Sequence, residues 1–265
     1  MNFKIVSLAQ QQSTVEASAF DSKIKKTADG TYCMAVIATG QGPYGIAAVA
    51  AQAFVKQATA LCEDPSLFEN NAATWKFRIA AKMNEFHSWL KNAASELNVS
   101  ALASATAALI RPDNGLNILS IGNTISLIKR SNTGEIAIGN KLDVASYLAS
   151  NTEEPQEYPA DITLFGAMGV NQSIKPHASK TTLSNHDTIF LLSAGFARNL
   201  SQYSKNLKNA DDINLQTSSL IEAIKTKRGL ACGDVVAGIH LEEGEDSENG
   251  TADQAGVPAE TTEAR

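Results

Sequence analysis

Gly40-Gln41-Gly42-Pro43-Tyr44-Gly45 is the segment whose residue types and spacing come nearest to a recognisable chemistry. It fits GxGxxG and lies between an apolar run and an Ala-rich run. A loop in that place can seat a pyrophosphate on a helix N-terminus. Two features weigh against a dinucleotide: Asp64 to Thr74 is polar, so no second strand follows the helix, and no acid stands ready to hold a ribose. The competing reading is a tight turn that uses glycine where other residues are strained. Cys33, Cys62 and Cys232 form no CxxC pair and no cluster with histidine, so they read as reduced, buried thiols and not as zinc ligands. His87 lies on the polar side of a helical stripe, His177 and His186 in loops, and His240 in the last strand. None stands in triad spacing with Ser or Cys, and none is given a role.

The elements around these residues follow from apolar periodicity. Phe3–Leu8 and Tyr32–Ala38 read as early strands joined by a polar hairpin or loop. Ile46–Leu61 reads as an Ala-rich helix with Ile46, Val49, Ala53 and Leu61 near one face. From Ala73 to Leu97, the residues Trp75, Ile79, Met83, Phe86 and Leu90 recur as one helical stripe, a core face. Ser104–Ile110, Leu116–Ile121, Ile125–Arg130 and Glu135–Ile138 are short apolar runs separated by turns, which predicts an antiparallel meander. Asn140–Asp161 reads as loop. A strand at Thr188–Ser193, helices near Ala197–Leu207 and Asp211–Lys227, and a strand at Val235–Leu241 complete the chain. The last helix carries acids at its start and Lys225, Lys227 and Arg228 at its end, an order that suits its dipole. Sequential strands with grouped helices predict an antiparallel α+β fold, not a parallel βαβ sheet.

Composition sets the outer bounds. The chain has 265 residues with 43% hydrophobic and 19% charged, enough for one large domain. Residues 242–265 hold eight acids and one base, so this stretch carries −7 and the other 241 residues about +1 of the net −6. Residues 1–241 are therefore expected to fold as one domain and 242–265 to form an acidic disordered tail. Basic residues form no stripe, which speaks against nucleic acid, and no apolar run is long enough to span a bilayer. Met1-Asn2-Phe3-Lys4 lacks the order of a signal peptide, so the expected location is cytoplasmic.

Taken in order, the segments resemble the PPM (type 2C) family of metal-dependent serine/threonine phosphatases. Ile37-Ala38-Thr39-Gly40-Gln41-Gly42-Pro43 stands where the family has a strand entering Asp-Gly-x-Gly-Gly. Ala103 to Ile110 resembles the family's small-residue segment leading into a central strand, and Ser120-Ile121-Gly122-Asn123-Thr124 its Gly-Asp-Ser hairpin. Leu164-Phe165-Gly166-Ala167-Met168-Gly169 resembles the Ala-Leu-Gly stretch. Asp187 to Phe196 resembles the strand ending in Ser-Asp-Gly, and Gly233-Asp234-Val235-Val236 the closing Asp-Asn strand. The resemblance spans residues 3 to 241. It implies a four-layer α-β-β-α sandwich of two antiparallel sheets flanked by helices.

In the family, aspartates at these strand ends hold two divalent metals whose bridging water attacks the phosphoester. Here Thr39, Asn123, Ala194 and Gly233 stand at acid positions, and Gln12, Glu16 and Ala17 where the resemblance implies a phosphate-binding Arg and a Glu-Asp pair. Glu16 and Asp234 remain as residual ligand candidates, although Asp234 also reads as an exposed turn residue. Gly40 offers only its carbonyl. Magnesium and manganese are hard ions that need several anionic oxygens, so no cofactor is expected unless residual activity retains Mg2+ or Mn2+. The reading is a pseudophosphatase that acts by binding a protein: a kinase, a phosphoprotein or a phosphatase. Two alternatives stay open. One is a divergent active phosphatase that draws acids from Asp21, Asp143 or Asp161; the other is a nucleotide-binding module built on Gly40–Gly45.

Overall fold

The computed structural model describes residues 1–10, 16–68, 72–142, 166–170, 172–208, 212–228 and 233–243. Gln12, Asp143, Leu164, Phe165, Asp161, Cys232 and the tail from residue 244 lie outside them. The strands are β1 (Asn2–Ala9), β2 (Glu16–Thr27), β3 (Gly30–Gln41), β4 (Leu102–Ile110), β5 (Gly115–Ile121), β6 (Ile125–Lys129), β7 (Ile136–Ile138), β8 (His177–Thr182), β9 (Thr188–Leu192) and β10 (Val235–Glu242). The helices are α1 (Ile46–Ala60), α2 (Ala73–Glu96), α3 (Leu200–Lys208) and α4 (Ile213–Arg228). No helix of the described residues is long and apolar enough to cross a membrane.

Two five-stranded antiparallel sheets face each other, ordered β2-β3-β4-β5-β8 and β1-β10-β9-β6-β7. The period-2 alternation of side chains divides each central strand between two cores. In β3, Met34, Val36 and Ala38 face α1 and α2, and Cys33, Ala35 and Ile37 face the other sheet. On the far side, Phe190, Leu192 and Val236 pack under α3 and α4. The result is the α-β-β-α order of layers that the family resemblance implies. Full burial pushes the thiols of Cys33 and Cys62 up to about 12, so both are inert packing groups at neutral pH.

Four expectations change. The apolar runs from residue 104 to 138 do not form one meander. β4 and β5 pair in one sheet and β6 and β7 in the other, so Gly122-Asn123-Thr124 carries the chain across the sandwich. β2 and β8 are strands that the apolar pattern misses, and His177 begins β8 instead of lying in a loop. The buried face of α1 is Ala47, Ala50, Ala51, Phe54, Val55 and Ala58, and Val49 is exposed. The helix near 197–207 begins as a 3-10 turn at Ala194–Asn199 before α3.

Candidate functional site

At one end of the sandwich the apolar inter-sheet core gives way to buried polar side chains. Thr39 continues the alternation of Cys33, Ala35 and Ile37, so it faces the second sheet. It is flanked in register by Ser18 of β2 and Ser104 of β4. The Ser18 and Thr39 hydroxyls lie 3.0 Å apart, and the backbone N–H of Ala194, just past β9, donates to Thr39 Oγ1 at 3.1 Å. The two sheets therefore meet at Thr39.

Beside this contact, Ser193 Oγ donates to Asp234 Oδ1 at 2.7 Å and accepts from the Val235 N–H at 3.1 Å. The Ser18 N–H donates to the Gly233 carbonyl at 3.0 Å, and the Gln10 N–H to the Asp234 carbonyl at 2.8 Å. Thr39, Ala194 and Gly233 thus converge, with Asp234 and Glu16 next to them. Asn123 stands one strand further along and is occupied with Ser104: it accepts from Ser104 Oγ at 2.8 Å and donates its N–H back at 3.2 Å.

Asp234 is fully buried, which corrects the reading of it as an exposed turn residue. The turn lies between the sheets, and a serine forty-one residues away supplies its hydrogen bond. Glu16 opens β2 opposite Gln41 and shares the face of Ser18. Asp21, a possible substitute acid, lies on the opposite face of the sheet and accepts from Thr59 Oγ1 of α1 at 2.6 Å. It cannot join the site without reversing the strand's pleat.

The donor set fits a pair of divalent cations poorly. Thr39 and Asn123 supply neutral oxygens already hydrogen-bonded, and Ala194 and Gly233 supply no side-chain ligand. Among the described residues, no three His, Cys, Asp or Glu side chains stand together in a way that could hold a metal ion. Position 233 is closed to any side chain. Gly233 has φ +67°, and a Cβ there would lie 2.6 Å from the Glu16 carbonyl oxygen.

Gly40 serves packing. A Cβ on it would lie 1.9 Å from the Ala47 carbonyl oxygen of α1. Its strand has antiparallel neighbours on both sides, so Gly40–Gly45 does not open a βαβ unit. The described histidines stand apart from the site. His87 accepts the Gly169 N–H at 3.2 Å, with its pKa lowered by burial and then by Lys91. His240 shares a 2.9 Å hydrogen bond with Thr188, and burial followed by the nearby His186 lowers its pKa. Ser18, Ser104 and Ser193 organise the site; Ser104 and Ser193 lie in segments that resemble family motifs, but Ser18 carries no sequence signal, and the partners of all three are set by strand register. Gln10, buried beside Asp234, has no partner for either side-chain polar atom among the described residues.

No family model matches the sequence, and no curated protein sequence matches it. Solved structures do. A serine/threonine phosphatase of S. agalactiae is 13% identical with TM-score 0.72, covering 91% of this chain and all of that one. The Staphylococcus aureus serine/threonine phosphatase Stp1 is 14% identical with TM-score 0.68, covering 92% and 96%. The catalytic domain of the serine/threonine phosphatase PstP, in complex with two manganese ions, is 16% identical with TM-score 0.63, covering 90% and 97%. This chain therefore has the fold of the PPM-type serine/threonine phosphatases.

Proposed function

We propose that this PPM-fold domain is a pseudophosphatase: it does not hydrolyse phosphoesters and acts by binding a protein partner, a kinase, a phosphoprotein or a phosphatase, in a signalling pathway. One observation carries the reading. The strand ends that would have to supply acids hold Thr39, Ala194 and Gly233, and they are locked together by a hydroxyl-to-amide bond and a backbone with no room for a side chain. Two adjacent divalent ions repel one another, and only several carboxylates offset that repulsion. Asp234 is the fully buried acid at this end, and one of its oxygens is engaged by Ser193. Without a metal-activated water and a clamp on the phosphoryl oxygens, no group here makes the nucleophile.

Purified protein should give no Mn2+- or Mg2+-dependent hydrolysis of an aryl phosphate, and titration with Mn2+ should give no pair of tight sites. Metal-stimulated turnover that survives purification would instead favour the divergent phosphatase.

A further inference from the structure

A second concave site lies away from the inter-sheet end, on the helix-covered side of β5 and β8. It is a cavity of about 320 Å3, and its wall includes Ala73, Trp75, Lys76, Asn117, Ser179 and Lys180. Asn117 and Lys180 are directly paired across β5 and β8, so they project from the same face of the sheet. Lys76 comes from the first turn of α2, above them.

The wall is rich in hydrogen-bond donors and poor in acceptors. Neither lysine has an ion-pair partner among the described residues, and no carboxylate of those residues lines the cavity. The Asn117 side-chain nitrogen is buried and makes no hydrogen bond among the described residues. A buried N–H group without a partner costs about 1–3 kcal/mol, so an occupied cavity is the cheaper state. α2 starts at Ala73 with no side-chain cap hydrogen bond and no acid in its first turn, and the Lys76 N–H closes the first helical bond on the Ala72 carbonyl at 3.1 Å. Two cations, an idle amide and an uncapped helix start on one cavity all favour an anion.

We propose that this cavity binds a phosphate monoester dianion, with Lys76 and Lys180 as the charged clamp and the Asn117 amide as the fixed donor. Ligand pockets run from about 300 to 1,000 Å3, so this one suits a single phosphorylated residue or a small phosphorylated molecule, not a dinucleotide. Trp75 and the alanines supply the apolar part of the wall. The proposal stands whether or not the inter-sheet end is catalytically silent.

The test is a 1H–15N NMR titration of the whole chain with inorganic phosphate, O-phosphoserine, a phosphoserine peptide and the same peptide unphosphorylated. Shifts should concentrate on the Ala73–Lys76 amides and the Asn117 side-chain NH2. Lys76→Ala with Lys180→Ala should weaken binding at least about tenfold, because each removes a charge-assisted contact. Both side chains are exposed, so the double variant should keep its melting temperature. Tighter binding of the phosphopeptide than of O-phosphoserine would identify a phosphoprotein ligand; equal binding would identify a small phosphate. Three results would overturn the proposal: no phosphate probe binds at up to about 10 mM, where a millimolar site is mostly filled; the unphosphorylated peptide binds equally well; or the double variant binds unchanged.

Discussion

At the residue scale, position 233 shows why a missing carboxylate is more than a missing charge. Its φ of +67° favours glycine, and the Glu16 carbonyl occupies the space a Cβ would need. Gly233→Asp is therefore expected to lower stability by about 1–3 kcal/mol through backbone strain, read as a shift in the urea midpoint. It should not create a metal site even when combined with Thr39→Asp. An unchanged midpoint would mean that the β2 backbone yields and that an acid could be restored. Thr39→Val tests the other half of the lock. It strands the Ala194 N–H and the Ser18 hydroxyl, and should cost a further ~1–3 kcal/mol. The altered positions were legible through the resemblance of their segments to the family's motifs. The burial of Asp234 was not, since an aspartate beside a glycine has the composition of a surface turn, and its partner Ser193 is close only after β9 and β10 pair.

At the element scale, the strands that escaped the sequence pattern are β2 and β8, the two edges of one sheet. Among the described residues, each has a neighbour on one side only. Edge strands carry solvated and charged residues that prevent edge-to-edge pairing, here Lys23, Lys25 and Lys26 in β2 and Lys180 in β8. Apolar alternation is diluted there for the same reason that the fold stays soluble at its edges. The crossing at Gly122-Asn123 was illegible for a different reason. A tight turn between two apolar runs looks alike whether the strands pair with each other or separate into facing sheets. The face of α1 depends on contact distance: an alanine ridge buries where Gly40 lets the helix backbone reach the strand. Gly40→Ala is accordingly expected to cost at least about 3 kcal/mol, because the opposing atoms are backbone and cannot rotate away. Gly45→Ala is the control. Gly45 has φ +70° with nothing within 4 Å, so only the left-handed penalty of about 1–2 kcal/mol applies. Thermal melts of the two variants should separate clearly, and equal losses would show that α1 does not press on β3 as described.

On the scale of the whole molecule, the sandwich closes differently at its two ends. At the end of β9 that carries Ser193 and Ala194, the sheets are joined by neutral groups: the Ala194 N–H on Thr39 Oγ1 and the Ser18 N–H on the Gly233 carbonyl. At the opposite end they are joined by charge. Asp187, fully buried before β9, accepts from Arg130 Nη1 at 2.8 Å and from the Ser131 and Ser184 N–H groups, each at 2.9 Å. Arg130 also donates to the Thr182 carbonyl at 2.8 Å and to Thr181 Oγ1 at 3.2 Å, so one guanidinium ties β6 of one sheet to β8 of the other. A buried carboxylate with this many donors is structural, and its removal strands them all. Breaking a buried ion pair costs about 3–5 kcal/mol; Arg130 keeps partial access to water, so Asp187→Ala should cost about 2–4 kcal/mol. Asp234→Asn is the informative comparison. It keeps the shape of the side chain and an oxygen for Ser193, so its urea midpoint should move far less. The opposite ranking would mean that Asp234 is held by a counter-charge, and the polar end of the sandwich would then still be built to gather cations.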